Sequence, residues 1–288
     1  MNRSPQSLAV IGLLALATAW MTPSVEAQKP PKPPKSVRIY VFDCGVLKGL
    51  DPGIFHFKKE ELAEVNFVAV SYLIVHPKGT LMWDTGTVPD SAFKPDGSPV
   101  TQGIMTAAKP LLPQLAAIGY TPADITYLGL SHYHSDHTAN ANAFAGSTWL
   151  VHQTERDFMF SDGPKGIIQG ASFSALKTAK TKILPEDDYD VFGDGTVVIK
   201  YTPGHTQGSQ VLFVKLAKTG PVLLAGDLYH YPEERFTDKT PTFEFNHDQS
   251  MASRTTIEAF VKKTGAQLWI EHDMPTFNKQ KKAPEFYQ

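Results

Sequence analysis

The sequence predicts an α+β protein in which two β-sheets stack face to face with helices on their outer sides. Apolar runs of strand length come in two batches, each followed by a helix-forming segment, and turn residues punctuate both without any repeat of fixed period. At 288 residues and 42% hydrophobic content, the chain is long enough to bury one substantial core. Its charge is nearly balanced, with 27 Lys plus Arg against 29 Asp plus Glu. That leaves no clustered positive excess to neutralise a phosphate backbone, so nucleic acid is not an expected partner. Cys44 is the single cysteine, which excludes an intrachain disulfide and a cysteine zinc site. Any metal must therefore be held by histidine and carboxylate.

Residues 1–27 have the three-part build of an export signal and are set aside from the fold. Arg3 supplies the positive end, Leu8 to Met21 is an apolar run too short to span a bilayer comfortably, and Pro23 breaks it. Val25 and Ala27 flank Glu26 as a peptidase-type site, so the expected mature chain begins at Gln28 and is periplasmic or secreted. Residues 28–36, QKPPKPPKS, read as an extended tether, and residues 37–288 as one domain with no stable membrane partner. Oligomeric state leaves no mark in the sequence.

Within the domain, Val37–Phe42 and Asn66–Val75 alternate as strands. His76 to Gly79 turns the chain, and Thr80–Asp84 returns, ending in Trp83-Asp84-Thr85-Gly86. Leu111–Ile118 has helical spacing, with Gly119 as its stop. Ile125–Leu130 is again strand-like. Tyr189–Phe192 and Thr196–Tyr201 flank Gly193-Asp194-Gly195 as a hairpin, while Val211–Leu216 and Val222–Leu224 continue a second sheet. Gln249–Lys263 reads as a helix and Gln267–Ile270 as a final strand.

The strand ends carry the chemistry. Ser131 to His137, SHYHSDH, packs three imidazoles and a carboxylate into six positions where a buried strand must turn. On a strand end, His132 and His134 share a face, while Asp136 and His137 lie where the turn can aim them at a second ion. His205 follows Gly204, Asp227 follows Gly226, and His272 follows Glu271, each after a strand-like run. One such residue is commonly a cap or a satisfied core group; four strand ends converging on His or Asp favour metal. His56, His76, His152 and His247 lack motif spacing and read as turn, core or surface residues, and Cys44 as a small buried apolar group.

These residues resemble the metallo-β-lactamase superfamily, whose HxHxDH signature is matched at His132, His134, Asp136 and His137. The resemblance spans nearly all of the mature chain, from Trp83-Asp84-Thr85-Gly86 through the signature to Glu271-His272-Asp273. It implies a four-layer αββα sandwich with two divalent ions on one rim. His132, His134 and His205 would hold the first ion and Asp136, His137 and His272 the second, with Asp227 bridging them. Mixed His and carboxylate ligands suit zinc, with manganese, cobalt or iron as substitutes. His134 occupies the position where the diiron oxygen-reducing relatives characteristically carry a carboxylate, which favours hydrolysis. The implied reaction is attack by a metal-bridging hydroxide with no covalent enzyme intermediate. Asp84 and Asp273 are candidates for orienting ligand imidazoles.

A bridging Asp227 resembles the lactonases, glyoxalase II-like thioesterases and phosphodiesterases more than the true β-lactamases. The segment 226–235 is most similar to that of the N-acyl homoserine lactonases, so the expected substrate is a small-molecule ester or lactone. Those lactonases commonly have a tyrosine three residues after the bridging aspartate; here that position is His230, with Tyr229 beside it. Either side chain is a candidate to stabilise the developing oxyanion. Tyr231, Phe236, Phe243 and Phe245, together with Tyr229, either shape an acyl pocket or pack the domain. The alternatives are a β-lactamase or organophosphate hydrolase of the same fold, and a metal-binding protein without turnover.

Overall fold

Residue 1, residues 31–162 and residues 170–288 are described in the computed structural model of the chain. The expected signal, 1–27, thus falls outside the described residues apart from Met1, as do residues 28–30 of the tether. Residues 31–36 form neither helix nor strand. No described helix is long and apolar enough to cross a membrane.

Two sheets organise the described residues. The first contains β1 (Arg38–Leu47), β2 (Phe67–His76), β3 (Gly79–Trp83), the short hairpin β4 (Val100–Gln102) and β5 (Met105–Ala107), β6 (Tyr127–Gly129), β7 (Thr148–His152) and β8 (Thr181–Leu184). Its order is β4-β5-β1-β2-β3-β6-β7-β8. The second contains β9 (Tyr189–Asp190), β10 (Val197–Tyr201), β11 (Gln210–Leu216), β12 (Gly220–Leu224) and β13 (Gln267–Trp269), in the order β13-β12-β11-β10-β9. Helices α1 (Leu111–Ala117), α2 (Ser135–Thr138), α3 (Gln153–Met159), α4 (Gly170–Phe173), α5 (His247–Thr264) and α6 (Met274–Lys279) complete the chain.

β2 shows why the layers number four. All ten of its residues are buried, so both faces of the sheet are covered. Val68, Val70, Tyr72 and Ile74 enter the core between the sheets, where they meet Ile199, Leu212, Val214 and Leu224. The alternate residues Phe67, Ala69, Leu73 and Val75 face the opposite core with Leu111 and Leu115 of α1. On the far side of the second sheet, Val211, Phe213 and Leu223 pack with Ile257 of α5. Helix, sheet, sheet and helix follow in that order, as the αββα reading requires.

The β2–β3 and β9–β10 hairpins form where the turn residues stand, with His76 opposite Gly79 and Val198 opposite Asp190. α5 begins two residues before its expected start because the Asn246 side chain accepts a hydrogen bond from the Gln249 N–H, and it stops at Gly265 (φ 68°). β1 runs five residues past its expected end, across a register shift between Asp43 and Val46. Gly45 (φ 114°) allows this: a Cβ there would lie 2.5 Å from the Thr106 carbonyl of the neighbouring hairpin. The sequence reading did not contain β4, β5, β7, β8 or α3, all short pieces whose patterns are too brief to show a period.

Candidate metal centre

Asp84, the signature, His205, Asp227 and His272 all follow the C-terminal ends of strands, at β3, β6, β10, β12 and β13 respectively, and so collect on one rim of the sandwich. β6 ends at Gly129, so His132 and His134 do not share the face of a strand. The loop and the first turn of α2 bring the two rings together instead, with centroids 4.4 Å apart. Gly129 itself is needed for close packing, since a Cβ would meet the Trp83 ring at 2.7 Å.

The seven expected ligand side chains meet. Asp227 Oδ2 lies 3.5 Å from His132 Nε2 and 3.4 Å from His205 Nε2, and Oδ1 lies 3.2 Å from His137 Nε2 and 3.1 Å from His272 Nε2. Asp136 Oδ2 is 3.8 Å from His137 Nε2 and 3.6 Å from His272 Nε2. His134 Nδ1 faces His205 Nε2 at 3.0 Å. The two oxygens of Asp227 thus address two separate groups: His132, His134 and His205 on one side, Asp136, His137 and His272 on the other.

The donor set fits a pair of ions. Two atoms each about 2.1 Å from one tetrahedral ion are about 3.4 Å apart, and the contacts to Asp227 cluster around that separation. They are not hydrogen bonds: His132 Nε2, His137 Nε2, His272 Nε2 and Asp227 Oδ1 are buried with no hydrogen-bond partner among the described residues. Nitrogens and oxygens left bare in a protein interior are costly unless something else binds them.

In three of the rings the opposite nitrogen is tied down. His205 Nδ1 lies 2.9 Å from Glu244 Oε2, His272 Nδ1 lies 2.8 Å from the Val68 carbonyl, and His137 Nδ1 lies 3.2 Å from Asp84 Oδ2 and 3.4 Å from Glu271 Oε1. Such contacts fix the tautomer and aim the free nitrogen at a metal. Asp84 adopts a left-handed backbone (φ 56°) and also accepts the Ser131 N–H at 2.6 Å, locking the start of the signature. Burial, followed by the neighbouring Asp84 carboxylate, pushes Glu271 up to about 8. Burial also holds His132 and His134 well below the usual imidazole range, reinforced by neighbouring imidazoles. Burial lowers His205, but the carboxylates of Asp227 and Glu244 beside it outweigh that and bring it up to about 10.

The two oxyanion candidates part company. His230 borders the cavity above the cluster, with Nε2 3.3 Å from Asp227 Oδ2. Tyr229 does not reach it: its ring is buried in the outer core and its hydroxyl donates to Glu258 Oε1 at 3.1 Å, so the expectation for Tyr229 is corrected. Asp273 caps α6 through the Thr276 N–H at 3.1 Å rather than orienting a ligand. Phe243 lines the cavity, whereas Tyr231 donates to the Val65 carbonyl and packs in the core, and Phe236 is 86% exposed. Phe245 is half-exposed and lies outside the cavity lining. His76 pairs with Asp194 at 2.9 Å, His247 with Thr240 at 3.1 Å, His152 is buried against Tyr201, and His56 ends a short helix. Cys44 is buried and donates to Ser71.

Glu244 and Glu271 were missed as functional residues. Glu271 had a signal, its adjacency to His272, but Glu244 stands in an irregular stretch without one. Above the cluster opens a cavity of about 630 Å³, walled by Leu47, Leu50, Ile54, Met105 and Phe243, with Asp136, Asp227 and His272 at its polar end.

The Metallo-beta-lactamase superfamily model matches residues 66–264. The chain belongs to this superfamily. Relatives include an N-acyl homoserine lactonase AttM of Rhizobium radiobacter, 30% identical over 262 residues that cover 87% of this chain and 98% of that protein. The N-acyl homoserine lactonase AiiA of Bacillus thuringiensis subsp. kurstaki is 29% identical over 234 residues, covering 77% of this chain and 88% of its own. Among solved structures, a quorum-quenching N-acyl homoserine lactone lactonase superposes with a TM-score of 0.72 at 27% identity, over 87% of this chain and 98% of that one. An N-acyl homoserine lactone hydrolase with the product N-hexanoyl-L-homoserine at its catalytic metal centre gives a TM-score of 0.70 at 26% identity, over 87% and 99%. With these relatives, the protein stands among the metal-dependent hydrolases of the superfamily.

Proposed function

We propose that the protein is an exported dinuclear metallohydrolase that opens the lactone ring of N-acyl homoserine lactones. The observation that carries this reading is the apolar cavity ending on the ligand cluster, which suits a molecule with a polar ring at one end and an acyl chain at the other. The lactonase relatives, similar along almost their whole length, support the same substrate. Export is supported by the charged, apolar and small-residue succession of residues 1–27.

His132, His134, His205 and Asp227 would hold one ion, and Asp136, His137, His272 and Asp227 the other, zinc being the ion this set suits. When bound, such a pair supplies a water activated at neutral pH and polarisation of the carbonyl. The protein's own groups do the rest. Leu47, Leu50, Ile54 and Phe243 take the acyl chain and exclude water along it, which sets the lactone over the cluster. Asp136, at the border between cluster and cavity, moves the proton from the attacking water to the ring oxygen that departs. Water adds to the carbonyl carbon, the ring C–O bond breaks, and an N-acyl homoserine leaves.

The test measures metal content together with ring opening of short- and long-chain N-acyl homoserine lactones, a chromogenic β-lactam and a phosphotriester. Lactone opening that dominates the panel and vanishes on chelation is expected. Fully metal-loaded protein that leaves every lactone intact would refute the proposal.

A further inference from the structure

We propose that His230 is an additional metal ligand, on the side of Asp227 that faces His132 and His205. The inference uses the metal pair of the preceding reading and extends its ligand set. His230 Nε2 lies 3.3 Å from Asp227 Oδ2, the oxygen that His132 and His205 approach at 3.5 and 3.4 Å. All three separations match the spacing of about 3.4 Å between two ligands of one ion. Like the expected ligands, the ring is buried, with only 2% of its side chain exposed, and neither nitrogen has a hydrogen-bond partner among the described residues.

Behind His230, as behind His205, stands a carboxylate, although no hydrogen bond joins it to the His230 ring. Glu234 Oε1 stands 3.4 Å from His230 Nδ1, while Glu234 Oε2 accepts the His230 backbone N–H at 3.1 Å and the Arg254 guanidinium at 2.7 Å. Arg254 is itself buried and donates to the Leu228 and Lys239 carbonyls at 2.9 and 2.7 Å, so the whole turn after Asp227 is pinned to α5. A carboxylate engaged by a guanidinium only accepts hydrogen bonds, so for a neutral imidazole it favours the proton on Nδ1, with the Nε2 lone pair toward the cluster. The Phe55 ring, 4.8 Å away centroid to centroid, restrains the imidazole from the other side. A neutral ring in this tautomer has no proton on Nε2 to give an oxyanion, and a lone pair to give a cation. The two ion positions are then unequal, with five protein donors on the His132 side and four on the His137 side.

The full-length chain, stripped with a chelator, is titrated with Co²⁺ alone and read by its visible absorption and by competition with a coloured chelator. Wild-type protein is expected to bind two ions, one of them at least tenfold tighter than the corresponding site in His230→Ala, with a changed absorption band in the variant. Glu234→Gln, which keeps the ring but removes its anchoring charge, should weaken the same site by roughly 10–100-fold. Circular dichroism of both metal-free variants checks that they fold. If both folded variants bind two Co²⁺ ions with wild-type affinity and band shape, His230 is not a ligand, whatever the lactone assay shows. If wild-type protein takes up no Co²⁺, the dinuclear reading falls as well.

Discussion

Glu155→Gln is expected to change how stability responds to pH without changing the fold. Glu155, on α3, is buried and takes the Thr206 hydroxyl and the Gly208 N–H on one oxygen, each at 2.8 Å, which braces the turn that carries His205. Burial, only partly offset by these hydrogen bonds, pushes its carboxyl from the ordinary 4.5 up to about 7. Three residues earlier, His152 is buried without a hydrogen-bond partner among the described residues, and burial lowers it from 6.5 to about 4. The two act in opposite directions. Glu155 binds a proton in the folded protein that it has lost in the unfolded chain, so its contribution is complete below pH 4.5 and declines as pH rises toward 7. His152 is neutral when folded and charged when unfolded, so its contribution is complete above pH 6.5 and is lost as pH falls toward 4. Between pH 4.5 and 6.5 one proton per group corresponds to about 1.4 kcal/mol per pH unit, and the slopes cancel. In Glu155→Gln only the His152 slope remains, so stability relative to wild type should rise by about 2–3 kcal/mol from pH 4.5 to 6.5. His152→Phe should show the reverse slope. Urea melts followed by tryptophan fluorescence, at equal metal loading, measure both. Parallel profiles for wild type and Glu155→Gln would mean that Glu155 is ionised throughout and that burial does not govern it.

Two further changes test the site. In Phe243→Ala, loss of part of the apolar wall should raise KM for a long-chain N-acyl homoserine lactone by about tenfold, at roughly 1–2 kcal/mol of lost contact, and leave a short-chain one within about twofold; equal shifts for both would place the acyl chain elsewhere. In Gly204→Ala, the new Cβ would lie 2.3 Å from the Ser250 backbone nitrogen at φ 140°, so the turn must move and take His205 with it. Metal analysis of the folded variant should find fewer than two ions per chain, and a full complement would show that the turn relaxes without displacing its ligand.

The sequence alone determined what is local. Each ligand motif follows a strand-length apolar run within a few residues, and because a strand must emerge at the edge of its sheet, the motifs announce a rim. SHYHSDH could be read in one glance, since its four ligands need only a loop and one helical turn to converge. The layers were legible for the same reason, in the two batches of strands. Only the tertiary structure decided what stands behind the ligands. Glu244 reaches His205 across 39 positions of sequence, Asp84 reaches His137 across 53, and the Val68 carbonyl meets His272 across 204. No period or spacing encodes such encounters, because they follow from how the sheets stack. The fate of Tyr229 and His230 turned on the same fact. Neighbours in sequence, they leave the chain in opposite directions, one into the outer core against α5 and the other over the cluster, and that choice is made by the packing of the turn after Asp227.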